Sequence, residues 1–281
     1  MKKEIIKGED YQNKDRPSTR LSQYGDIFKH RFVELLKVSL LQAVFNMPLI
    51  ASLVLFYALV RNSDDINQLM TVFLIQGASF LITIPSVFCG LSGVFHCMKK
   101  IAFAEGEYAS SAFFIGLREE WKNGLLIGLL AGFSVGITVI GYFFAYFYIS
   151  QFDTIIAGFT YAILAVQLIV VLMVSYFSIG QNAIYSNKLK FTLKNSFIFS
   201  LIRFPINLLF VIIYPGILIA LFAIMEITMF VGIGLLIFFS ALGHLMWMLN
   251  VIATTDKFIN KEQYPELYRK GLADIKTNEE V

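Results

Sequence analysis

Six long apolar stretches decide what this chain can fold into. Each is long enough to cross a hydrocarbon core, which needs about 20 helical residues. With 57% hydrophobic and 15% charged residues and a mean hydropathy of +0.68, the chain is also more apolar than soluble domains. The sequence therefore predicts an all-α, polytopic membrane protein with six transmembrane helices, placed at residues 38–60, 69–98, 124–149, 157–181, 204–225 and 229–253.

Polar segments flank this six-helix domain of residues 28–253. Residues 1–27 are predicted to be a flexible cytoplasmic tail, and residues 254–281 a charged cytoplasmic tail. The first 37 residues hold nine Lys or Arg without an early apolar core, so we expect no cleavable signal peptide of the usual form. Both cysteines, Cys89 and Cys97, fall in an apolar stretch, which implies no disulfide framework.

The distribution of positive charge predicts the orientation in the membrane. Of the 23 Lys and Arg residues, 22 lie on the side that carries both termini, and Arg61 alone lies opposite. The opposite connections instead hold Asp64, Asp65, Asp153 and Glu226. By the positive-inside rule, the sequence predicts a multi-pass plasma-membrane protein with both termini in the cytoplasm.

A ladder of four glycines marks the third span. Positions four apart lie on nearly one face of a helix, so these residues leave three successive turns without Cβ atoms. Such a stripe lets another backbone approach closely inside a membrane. The predicted helix-packing residues are Gly124, Gly128, Gly132 and Gly136.

Basic, aromatic segments precede each pair of spans on the cytoplasmic side, reading FKHRFVELLK, FIGLREEWKN and FTLKNSFIFSLIR. Each is predicted to be an amphipathic segment. In the second one, Phe114, Leu117 and Trp121 share a helical face and are the candidate partner-docking residues. Three repeated hairpins would explain the pattern, but cytoplasmic membrane edges also attract lysines and aromatic residues without any repeat.

Two features of the sequence favour a transport function: prolines that interrupt the predicted spans, and uncharged polar residues inside the spans. Pro48, Pro85 and Pro215 are predicted to kink or break their spans, and interrupted helices are where transporters build binding sites. Gln76 and Gln167 could bond across helices or line a small polar cavity. No charge lies deep in a predicted span, which argues against ion coupling by this chain alone.

Motifs for catalysis are missing from the sequence. It has no phosphate-binding P-loop and no room for a soluble catalytic domain between the spans. Cys89, His96 and Cys97 are conceivable metal ligands, but they lie on one helix and are better explained by apolar packing. His244, with Trp247 and Asn250, is expected to anchor an interface or bond to another helix, the alternative being a proton or substrate site. We therefore predict no enzyme, no cofactor, no metal and no catalytic residue.

One run resembles a known family. Gly90 to Leu126, GLSGVFHCMKKIAFAEGEYASSAFFIGLREEWKNGLL, is similar to the signature region of the YesL-like bacterial membrane proteins, and Leu36 to Leu49 resembles that family's first span. Lys99 departs from the pattern, which has Arg there, and the polar tails are longer. The family has no established activity, but its members often accompany carbohydrate importers of the ATP-binding cassette type.

Two functional hypotheses follow from the sequence. The resemblance implies an accessory or regulatory component of a carbohydrate uptake system, with importer components as partners besides the lipid bilayer. The alternative is a permease or channel that itself conducts a small solute. A membrane enzyme ranks third, and nothing in the sequence indicates binding to nucleic acid.

Overall fold

The computed structural model describes residues 16–106, 108–185, 187–224 and 226–273, and throughout these the regular structure is helical. Five helices or helix runs are long and apolar enough to cross a membrane, and a bent pair passes the same test together. The prediction of an all-α polytopic membrane protein is confirmed. The helices are α1 (Arg20–Arg61), α2 (Ile66–Ala102), α3 (Ala109–Phe144), α4 (Ser150–Phe152), α5 (Thr154–Ile184), α6 (Leu189–Ile202), α7 (Phe204–Val211), α8 (Ile217–Ile224), α9 (Glu226–Phe238), α10 (Ser240–Thr255) and α11 (Lys261–Gln263).

The number of crossings follows from where the two chain ends meet. Arg20, at the start of α1, forms a salt bridge of 2.8 Å with Asp256, just after α10. The helices between these residues must therefore cross the membrane an even number of times. With α9 and α10 counted as one bent crossing, the described chain makes six. We call the end that holds Arg20 and Asp256 the basic end.

The first helix begins earlier than the sequence suggested. Thr19 caps it through reciprocal side-chain bonds of 3.1 Å with Ser22, a capping box that satisfies otherwise free backbone donors. The predicted flexible tail of residues 1–27 is thus wrong for residues 20–27, whereas residues 1–15 lie outside the described chain. The amphipathic stretch 28–37 is part of α1, with non-helical dihedrals at Arg31 alone.

The sharp bend in the last crossing of this bundle is not at a proline. Pro48 and Pro85 lie inside the continuous helices α1 and α2, and a π-helical turn, Ile212–Gly216, contains Pro215. The sixth stretch, predicted as one rod over 229–253, instead bends by 61° between α9 and α10.

Polar side chains of α1 satisfy backbone groups near this bend. Ser39 Oγ accepts a bond of 3.0 Å from the amide of Ala241, and Asn46 Nδ2 donates to the carbonyl of Leu236 over 3.5 Å. A break in a membrane helix needs such partners, because lipid offers none. The bend therefore depends on residues almost two hundred positions away in sequence.

The three basic, aromatic segments do not share one local structure. The first two are the beginnings of the long helices α1 and α3, whereas the third contains the separate helix α6. The chain leaves helical geometry at Arg203 and starts α7 with Pro205 in its first turn, where proline is tolerated. The structure therefore gives the repeated-hairpin interpretation no local support.

The C-terminal segment is folded against the basic end as far as Ala273. The amide of Ala273 donates to the carbonyl of Pro17 over 3.1 Å, and Glu105 binds Lys100 at 2.7 Å and Lys270 at 2.6 Å. Burial opposes the charge of Glu105, but the two ammonium groups outweigh it and hold the pKa of its carboxyl below the usual range. The predicted C-terminal tail therefore starts later than residue 254, and residues 274–281 lie outside the described chain.

The four ladder glycines of α3 lie against α2, backbone to backbone. A Cβ atom on Gly128 would stand 2.6 Å from Pro85 Cα, and one on Gly136 would stand 2.6 Å from the carbonyl oxygen of Gly77. Gly124 and Gly132 face the carbonyls of Phe88 and Phe80 in the same way. Ordinary Cβ contacts begin near 3.4 Å, so no larger residue fits this contact, which we call the glycine seam.

Adding one methyl group in the glycine seam should destabilise the protein. We expect Gly128→Ala or Gly136→Ala to cost about 1–3 kcal/mol, because the new Cβ meets backbone that cannot rotate away. Thermal unfolding of the detergent-solubilised protein measures the loss. Gly158→Ala is the matched control, since nothing lies within 4 Å of a Cβ there. Equal melting temperatures for seam and control variants would refute this account of the packing.

Candidate functional site in the glycine seam

A glutamate interrupts the small-residue stripe of α3. Continued toward the basic end at intervals of four, the ladder passes through Glu120, Gly116 and Ala112. Ala112 is buried, and Gly116 lies directly on the side chain of His96 of α2. Glu120 therefore places a carboxylate in a contact that otherwise admits only small residues.

Two neighbouring helices, α2 and α5, supply partners for this carboxylate. One oxygen lies 3.4 Å from Nδ1 of His96 on α2, and the other accepts a bond of 3.0 Å from Nδ2 of Asn182 on α5. Asn123 donates to Asn182 Oδ1 over 2.7 Å. The side chains of Glu120 and His96 are 13% and 6% exposed. We call Glu120, His96, Asn123 and Asn182 the seam cluster.

The seam cluster can hold helices together, and it contains two ionisable side chains, Glu120 and His96. A buried carboxylate is tolerated when several donors bind it, as His96 and Asn182 do here. His96 Nε2 and the nearby Gln181 Nε2 are buried without a hydrogen-bond partner in the described structure. Buried polar atoms of this kind call for a specific explanation, and ionisable groups inside a membrane bundle are functional-site hypotheses by default.

Sequence reasoning missed Glu120 for an identifiable reason. The third span was predicted to start at Gly124, so Glu120 fell outside it, in the amphipathic segment FIGLREEWKN. In the structure α3 starts at Ala109 and packs along α2 from there. The four-residue spacing of Glu120 from Gly124 was the signal that could have identified it.

The candidate docking residues line an open groove at the same end of the bundle. Phe114 and Trp121 are 56% and 44% exposed. The groove has a volume of about 540 Å³. Arg118 lines it and forms no ion pair with another described residue. We call it the docking groove. Its lining residues are Phe45, Cys89, Phe114, Leu117, Arg118 and Trp121.

The candidate polar-cavity residues do not share a hydrogen-bond partner. Gln76 is buried on α2 and donates to Ser52 of α1 over 3.0 Å. Gln167 on α5 reaches the carbonyl of Ser134 on α3 over 3.4 Å. Each glutamine therefore bonds to a different neighbouring helix, one on each side of the glycine seam.

His244 and its neighbours form interhelical contacts in the core. His244 Nε2 lies 3.2 Å from the hydroxyl of Tyr214, and Asn250 donates to Asn207 over 2.7 Å. Trp247 is fully buried and stacks on Tyr176 with ring centroids 5.1 Å apart. Of the two roles expected for this set, the structure places it in interhelical bonding and not at an interface.

No cluster of metal-binding side chains occurs in the part of the chain that the structure describes. Groups of three or more His, Cys, Asp or Glu that could hold a metal ion do not occur among those residues. Cys89 Sγ instead lies 3.8 Å from the carbonyl of Trp121, at the docking groove, and Cys97 is buried.

Comparison with known proteins does not place the chain in a family: no family model, no curated protein and no solved structure matches it.

Removing the seam carboxylate should destabilise the bundle. In Glu120→Ala, His96 and Asn182 lose their shared acceptor while still buried, which costs about 1–3 kcal/mol for such groups. Glu120→Gln retains an acceptor and should lose less. The unfolding temperature in detergent measures both variants. The control is Glu119→Ala, one residue away and exposed, and an equal loss there would show that the seam cluster does not stabilise the fold.

Proposed function

We propose that this protein is a non-enzymatic component that assists or regulates a carbohydrate uptake system by binding another membrane protein. The observation that carries the proposal is the docking groove. Phe114, Leu117 and Trp121 present apolar surface beside the exposed Arg118, and no described part of the chain covers it. Exposed aromatic anchors next to an arginine are typical of protein-binding hot spots.

The nature of the partner follows from the groove and from the sequence resemblance. An apolar helix with a carboxylate opposite Arg118 would complement the groove in shape and charge. The resemblance of Gly90 to Leu126 to the YesL-like proteins supports a subunit of an ATP-binding cassette importer as that partner. Carbohydrate as the cargo rests on the same resemblance.

We further propose that the basic end faces the cytoplasm of a bacterial cell and that the bilayer is the plasma membrane. The excess of Lys and Arg at this end supports that orientation. A reporter that is active only outside the cytosol should be active when inserted at Asp65 and inactive when fused to Val281. Activity at Val281 would reverse the assignment.

A solute-conducting permease is the second candidate, and the seam cluster favours it. Glu120 and His96 are ionisable, largely shielded from solvent and in contact between two membrane helices, which is an arrangement that proton-coupled transporters use. In this hypothesis the carboxylate exchanges a proton while a solute passes. The accessory role ranks higher because Gln76 and Gln167 bond to separate helices rather than converging on one site.

Truncating the docking groove should abolish partner binding without unfolding the bundle. We expect Phe114→Ala/Leu117→Ala/Trp121→Ala to lower co-purification of importer subunits at least tenfold, because these side chains supply the exposed apolar area. The matched control on the same helix is Leu130→Ala/Phe133→Ala/Ile137→Ala, three side chains that are also exposed but lie away from the groove.

Two outcomes would contradict the proposal. Equal co-purification of groove and control variants would remove the groove as the binding surface. Sugar flux into proteoliposomes that contain only this protein, lost in Glu120→Gln, would instead support the permease.

A further inference from the structure

Helix α6 has a buried face made of small hydroxyl residues. Thr192, Ser196 and Ser200 are at most 2% exposed, and they follow one another at intervals of four. Near its end the helix is fixed to the C-terminal part of the chain, because Phe199 stacks on Phe258 and Arg203 donates to Thr254 over 2.9 Å. The orientation of α6 about its own axis is therefore set by the protein.

The outward face of α6 is divided along its length. In the second half, four large apolar side chains are 40–54% exposed, namely Phe197, Ile198, Leu201 and Ile202. In the first half, Lys190 and Lys194 are exposed on that same face, and Lys188 is exposed at the N-cap. Phe191, between these lysines, is the one large apolar side chain exposed in this half of α6, at 58%. None of these lysines forms a salt bridge with a described residue.

Both ends of α6 are held near the membrane boundary. Helix α5 ends at Ile184, five residues before α6, and the apolar run Phe204–Leu221 begins two residues after it. At 1.5 Å per residue, Lys194 and Leu201 are about 10 Å apart along the helix. The two halves of α6 are therefore far enough apart to contact different parts of a lipid, the headgroup and the acyl chains.

We propose that α6 is a binding site for anionic phospholipid in the leaflet at the basic end. Its second half inserts among the acyl chains, and Lys188, Lys190 and Lys194 contact the phosphates. Three unpaired positive charges at the headgroup level, next to apolar side chains that no described part of the protein covers, match an anionic lipid in both chemistry and geometry. Arg203 does not take part, because it bonds inward to Thr254. The site is separate from the docking groove and from the proposed function.

Lipid retention tests the headgroup half of the proposal. The full-length protein is reconstituted with equal amounts of phosphatidylglycerol and phosphatidylcholine, re-extracted in mild detergent, and its bound lipids are counted by mass spectrometry. We expect enrichment of phosphatidylglycerol, reduced at least threefold in Lys188→Gln/Lys190→Gln/Lys194→Gln. The control, Lys29→Gln/Lys37→Gln/Lys261→Gln, removes the same charge from exposed lysines elsewhere at the basic end. Equal reduction in both variants, or in neither, would overturn the site.

Insertion depth tests the other half of the proposal, the position of the apolar face. Single spin labels are placed at residues 190, 198 and 201 in a Cys89→Ser background, in which the remaining Cys97 is fully buried. In vesicles that contain phosphatidylglycerol, labels at 198 and 201 should collide with oxygen and avoid a water-soluble nickel chelate, and the label at 190 should do the reverse. Exposure of all three labels to nickel would refute insertion, and shielding of 198 and 201 from both reagents would show that a protein covers this face.

Discussion

The backbone-to-backbone contact between α2 and α3 is the constraint on which the rest of the bundle depends. Lipid is as apolar as a leucine side chain, so helices in a membrane associate through close packing and not through the hydrophobic effect. Gly128 on Pro85 and Gly136 on Gly77 bring the two backbones together at two depths. The other long helices pack around this pair, with α1 against α2 and α5 against α3.

Polar side chains join the other helices to one another and to the α2–α3 pair, which glycine packing alone does not do. Beside the bend between α9 and α10, Ser39 and Asn46 of α1 bind backbone groups of the last crossing. Nearer the basic end, the seam cluster ties α5 to the α2–α3 pair through the carboxylate of Glu120. At the end itself, Arg20 and Asp256 join the first helix to the last. Each contact joins residues far apart in sequence, and together they fix how the helices are arranged around the seam.

The surfaces left uncovered by this arrangement carry the functional proposals. The docking groove lies where α1, α2 and α3 leave an apolar hollow beside Arg118, and α6 exposes a face that is basic in one half and apolar in the other. The glycine seam leaves little room for a path through α2 and α3. These features favour the proposed binding of lipid and of a partner. The seam cluster supplies the ionisable groups between α2 and α3 that the alternative, a transport mechanism, would need.

The sequence by itself determined the membrane class, the helical fold, the approximate crossings and the glycine face, because apolar length and four-residue spacing are local properties of a helix. It could not determine where α1 and α3 begin, since both helices start well before their apolar stretches and are stabilised there by the cap at Thr19 and by packing on α2. Nor could it locate the bend between α9 and α10, which depends on Ser39 and Asn46. The role of Glu120 was decided only by tertiary structure. A carboxylate can lie inside a protein only where the fold brings hydrogen-bond donors to it, as it brings His96 and Asn182 here, and otherwise it stays in water.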